Sequence, residues 1–80
     1  MNRQAILIAV QDIIRDILDN PSLVVTEDMQ AHDVDNWDSL AHISIITSIE
    51  KHFQKRFSIS EIDSFDTVGT IINTLEKKLA

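Results

Sequence analysis

The sequence contains no cysteine. That excludes disulfides, thiolate metal sites and a nucleophilic thiol supplied by the protein, and it suits a reducing compartment. Proline and glycine occur once each, as Pro21 and Gly69. Two such residues are too few for the tight turns of a sandwich or barrel, and no glycine-rich phosphate loop or nucleophile elbow can be drawn around them. No apolar run approaches the roughly 18 residues of a membrane span. The N-terminus "MNRQAILIAVQDIIRDIL" has no small-residue cleavage site behind its apolar part. The chain therefore reads as cytoplasmic, neither secreted nor membrane-spanning.

Positive charge is scarce as well. The net charge is −6, and residues 12 to 38 hold Asp12, Asp16, Asp19, Glu27, Asp28, Asp33, Asp35 and Asp38 against Arg15 alone. Residues 39 to 80 balance five acids with five bases. This pattern disfavours nucleic acid and anionic membrane, and suits partner proteins with basic surfaces, although the acids also serve solubility. What is present is 80 residues, 44% hydrophobic and 25% charged. That is one globular domain, residues 1–80, too small for a deep enclosed active site.

Ile6, Val10, Ile13, Ile14 and Ile17 recur at helical spacing, which predicts an amphipathic helix over about residues 3 to 18. "DNPS" stops it, because the residue before proline avoids helical angles. Residues 19 to 37 have no sustained period and read as a long loop with one helical turn after Thr26, which caps "TEDM". Leu40, Ile43, Ile46, Ile49 and Phe53 predict a second helix over about 38 to 55, with Asp38 as its N-cap. "FSISEID" predicts a short helix from near Ser60. A last helix in "DTVGTIINTLEKKL" takes Asp66 as cap and buries Val68, Ile71, Ile72, Leu75 and Leu79, while Lys77 and Lys78 suit its C-terminal end. The fold class is all-α: a small bundle of three main helices and one short helix, with a long first connection.

The stretch "DVDNWDSLAHI", residues 33 to 43, concentrates the polar chemistry. As a calcium loop starting at Asp33 it fails, since Asp38 stands where glycine is required and Ser44 where glutamate is required. Ser39 and His42 share a helix face, but no oxyanion hole or orienting acid accompanies them, so no hydrolytic triad and no enzyme is expected. His42 reads as solvent-facing, and His32 and His52 form no metal-ligand spacing. Lys51, Lys55 and Arg56 offset a helix dipole better than they make a nucleic-acid site. Ser39 itself lies in the first turn of a helix, where unpaired N–H groups stabilise anions, yet helix chemistry alone favours a plain capping or first-turn serine.

With "WDSL" opening the second helix, the chain resembles the acyl carrier protein family. The likeness extends over nearly the whole chain: first helix, acidic loop, "DSL", second helix ending in Phe53, "SEID" helix and "DTVGTIINTL" helix. The resemblance implies that Ser39 accepts phosphopantetheine from coenzyme A through a magnesium-dependent phosphopantetheinyl transferase. It implies that Asp38 contacts the transferase and that Leu40 packs at the base of the arm. The cofactor's thiol would carry acyl groups as thioesters between loading and accepting enzymes, such as a synthase, ligase or acyltransferase, in a fatty-acid, polyketide or other pathway. Partners would dock on Asp38, Leu40, Ile43, Glu50, Glu61 and Asp63, and an acyl chain would lie near Ile43, Ile46, Ile62 and Val68. A monomer is the expected state.

One departure qualifies the likeness. Housekeeping fatty-acid carriers have a strongly acidic second helix, whereas here Ala41, His42 and Ser44 follow the motif and Lys51 replaces an acid. With Trp37 ahead of the motif, this implies a specialised carrier. An aminoacyl or peptidyl carrier, and an unmodified helical interaction module whose Ser39 is only a cap, stay open on the sequence.

Overall fold

The structure, a computed structural model, describes residues 2–80. Its main helices are α1, Arg3–Ile17, α2, Ser39–Phe53, and α4, Val68–Leu79, with the short α3, Ile59–Asp63, between the last two. A single 3-10 turn, Ala31–Asp33, interrupts the long connection. The all-α bundle of three longer helices and one short one is as expected, and no strand occurs among the described residues.

Each helix start has a local chemical cause. The side chains of Asn2, Asp38, Ser58 and Thr67 accept the backbone N–H three residues on, satisfying one of the orphan donors of a first turn. Ser58 and Glu61 do so reciprocally. The last helix is thus capped by Thr67 and not by Asp66: only Thr67 combines an extended backbone with a hydroxyl in reach of the Thr70 N–H. The turn expected after Thr26 is a tight turn without a helix, closed by Met29 N–H to Thr26 carbonyl, with the Thr26 hydroxyl donating to Asp28.

α1 buries Ile6, Val10 and Ile14 against α2 and α4. These meet Ile45, Ile46, Ile49 and Phe53 of α2 and Val68, Ile71, Ile72 and Leu75 of α4 in one apolar cluster. Each such side chain contributes about 1.5–3 kcal/mol by leaving water. The buried stripe of α2 differs from the expected one. Ile45 lies in the core, whereas Leu40 and Ile43 are 77% and 62% exposed. α2 carries two apolar stripes, and the neighbouring helices cover only the one through Ile45, Ile46, Ile49 and Phe53.

The long connection is tied to the bundle rather than loose. The Gly69 N–H donates to the Glu27 carbonyl at 2.7 Å, and the Val68 N–H to the Met29 carbonyl at 3.0 Å. A Cβ at Gly69 would sit 3.0 Å from that Glu27 oxygen, so the only glycine marks a close backbone approach. Arg3 donates to both carboxylate oxygens of Glu27 at 2.9 Å, to Asn73 at 2.8 Å, and to Glu76, joining α1, the connection and α4. The Arg3 guanidinium holds the Glu27 carboxyl below the usual carboxylate range.

Candidate functional site

After the 3-10 turn the chain passes through Asn36 in the left-handed region, φ 70°, which an asparagine tolerates better than most residues. Trp37 follows and is buried in the core cluster, 8% exposed. Asp38 then opens α2: its Oδ1 accepts the Ala41 N–H at 2.8 Å and its carbonyl accepts the His42 N–H at 2.9 Å. Ser39 is the first helical residue, exposed, and its hydroxyl forms no hydrogen bond among the described residues. The capping role that Ser39 could have filled is taken by Asp38. The N–H groups of Ser39 and Leu40 are left without a protein partner among the described residues.

The other aspartates of the stretch have separate places. Asp33 Oδ2 accepts the Gln30 N–H at 3.1 Å and closes the 3-10 turn, and Asp35 is exposed. Trp37 makes the contact that the sequence reading missed. Its indole Nε1–H donates to His42 Nδ1 at 3.1 Å, with the rings tilted by 30°. His42 is consequently half-buried and bonded, contrary to its expected solvent-facing role. The available signal was the tryptophan itself, because a buried indole N–H needs an acceptor and His42 is the nearby imidazole on α2.

Ser39 stands on the rim of an open depression of about 520 Å³, shared with Ala31, His32, Trp37, Asp38, His42, Ile43 and Phe65. Of the residues expected to line an acyl pocket, Ile46 and Val68 are in the core, Ile62 packs at its edge and Ile43 is outside on the surface. The space beside Val68 is a cleft of about 20 Å³, room for about one water. An acyl chain could enter there only if the helices part.

The expected docking residues divide in the same way. Asp38, Leu40, Ile43 and Asp63 are exposed. Glu50 is half-buried, and its Oε2 accepts the Phe57 N–H at 2.8 Å, fixing the turn after α2. Glu61 accepts the Ser58 N–H at 2.7 Å and pairs with Lys78 at 3.0 Å, and these bonds hold its carboxyl below the usual range. Both acids therefore stabilise the fold. The exposed face of α2, formed by Leu40, Ile43, Ser44, Thr47 and Lys51, carries no carboxylate.

Fold and site together define a small helical protein that presents an unbonded serine at a helix start. A family model described as a phosphopantetheine attachment site matches residues 9–75. The solution structure of a holo acyl carrier protein from Geobacter metallireducens is 37% identical to this chain, with a TM-score of 0.85 over 91% of this chain and 84% of that one. No curated protein sequence gave a significant match. The chain belongs to the phosphopantetheine-attachment family and is an acyl carrier protein by type, with phosphopantetheine as its covalent cofactor. A carrier of this type interacts with a phosphopantetheinyl transferase and with enzymes of its pathway. The residues at the start of α2 fit such a group. A phosphodiester there would meet the N–H groups of Ser39 and Leu40, unpaired among the described residues, and the positive end of the helix dipole, which would offset repulsion from Asp38.

Proposed function

We propose that Ser39 is the attachment residue, and that the protein is a catalytically inert carrier for a specialised biosynthetic pathway. The observation that carries the assignment is the division of labour at α2: Asp38 caps the helix, which leaves the Ser39 hydroxyl exposed and unbonded among the described residues. The attached group supplies a thiol that can hold an acyl group as a thioester. Ser39 anchors it, Asp38 and Leu40 flank it as contacts for the transferase, and Trp37 holds the chain leading to it. Ile46, Ile62 and Val68 would receive an acyl chain only on opening of the core. The protein would act in the cytoplasm.

Incubation with coenzyme A, magnesium and a broad-specificity phosphopantetheinyl transferase should add one phosphopantetheine mass. The addition should be absent in Ser39→Ala. Modification of the Ala variant would place the attachment elsewhere.

The specialised reading rests on the exposed face of α2, where Leu40 and Ile43 stand beside Ser44, Thr47 and Lys51 without an acid. Partners that read a carboxylate row would gain nothing there, whereas partners with an apolar, neutral docking face would fit. Ser44→Glu combined with Thr47→Glu, both at exposed positions, should raise kcat/KM with housekeeping fatty-acid loading enzymes. Unchanged kinetics would remove helix charge as the determinant of partner choice.

A further inference from the structure

Half-buried beside the exposed serine, His42 is joined to Trp37 by a hydrogen bond that fixes which of its ring nitrogens bears the proton. In a neutral imidazole one nitrogen donates and the other accepts. Because Trp37 Nε1–H donates to His42 Nδ1 at 3.1 Å, the proton of the neutral ring lies on Nε2. Nε2 has no protein partner among the described residues. Ser39 and His42 are three residues apart on α2, which places their side chains on one face, and both line the same depression. Trp37 is buried in the core cluster, so the ring that it bonds is pre-positioned. Of the backbone donors of this turn, the Ala41 N–H is taken by the Asp38 side chain and the His42 N–H by the Asp38 carbonyl, which leaves those of Ser39 and Leu40 to act beside the imidazole.

We infer that His42 is a positioning residue for the group on Ser39: its Nε2–H, directed by Trp37, donates a hydrogen bond to the phosphodiester and holds the first segment of the arm against the depression. This rests on Ser39 being the attachment residue. The donor adds a side-chain hydrogen bond to the backbone N–H groups and helix dipole that offset the Asp38 carboxylate beside a second negative charge. Anchoring at this point selects one direction for the arm, along the surface formed by Trp37, His42, Ile43 and Phe65.

The test is nitrogen-15 NMR of His42 and phosphorus-31 NMR of the phosphodiester, with intact mass recorded on the same samples. Before modification, His42 should show an unprotonated Nδ1 and a protonated Nε2, and the Nε2 signal should shift once the mass has risen by one phosphopantetheine. In modified His42→Phe the phosphorus resonance should move from its wild-type position. Trp37→Phe should raise the population of the Nδ1–H tautomer and move the phosphorus resonance in the same direction. A wild-type His42 protonated on Nδ1, or a modified wild type whose Nε2 signal stays where it was, overturns the inference without needing either variant to fold. So does a phosphorus resonance that is unmoved in folded His42→Phe. If no mass is added, the assignment of Ser39 fails first and this inference with it, so the two failures are distinguishable.

Discussion

α2 and α4 both begin at the end of a connection, and their first turns are finished in opposite ways. At α4 the Thr67 side chain takes one N–H, while the carbonyls of Met29 and Glu27 take those of Val68 and Gly69. At α2 Asp38 supplies the side-chain cap, and among the described residues the N–H groups of Ser39 and Leu40 have no protein partner. Orphan donors away from water are costly, so α4, which is covered by the loop, has to satisfy them. α2 starts at the surface, where water or an attached anion can do so. One helix start closes the fold and the other is left available for chemistry.

Breaking the closed start should have the larger effect on stability. Gly69→Val pushes new atoms against the Glu27 carbonyl and should cost about 1–3 kcal/mol, by the usual penalty for overpacking. Urea denaturation checks this, and an unchanged midpoint would show that the loop yields freely. At the open start, Asp38→Ala removes the cap alone and should cost about 1 kcal/mol in the same assay. Ser39→Ala should change stability by no more than about 0.5 kcal/mol, because the hydroxyl bonds to nothing among the described residues. A larger loss in Ser39→Ala would mean that the serine takes part in capping after all.

Acid sharpens the same contrast. Glu27, whose carbonyl receives the Gly69 N–H, has a side chain held by Arg3 below the usual carboxylate range, and Glu61 is held down by the Ser58 N–H and Lys78. A depressed folded-state value stabilises the protein above the unfolded Glu value of about 4.3, and that stability is lost as pH falls through the folded value. The melting temperature should therefore drop on acidification below that point. Arg3→Met should shrink the Glu27 part of the drop while leaving the phosphopantetheine mass addition intact. An acid profile identical in Arg3→Met would exclude the Arg3 network as its source.

Much of the site was legible in the residues. "DNWDSLAHI" contains its own helix start, since an aspartate directly ahead of a serine and an apolar run can cap only the helix that follows. The position of Ser39 followed from that local chemistry. The role of His42 did not, because a histidine at that spacing reads alike whether it faces solvent or an indole. The structural part played by Glu50 was hidden for a related reason: only the turn after α2 brings the Phe57 N–H to its carboxylate. The cap of α4 was misjudged by one residue, because Asp66 and Thr67 are both good capping types and only the backbone angles separate them.

By itself the sequence determined the all-α class, the order of the helices and, to within a residue, their starts, because periodicity and capping act over three or four residues. Tertiary structure decided which of the two apolar stripes on α2 is buried, since that depends on where α1 and α4 lie. It left Leu40 and Ile43 in solvent beside Ser39 and drew His42 against Trp37. It also set Gly69 against the Glu27 carbonyl, a close approach that no local pattern contains. Contacts between residues far apart in the chain depend on how whole helices pack, and those contacts made one helix start closed and the other open.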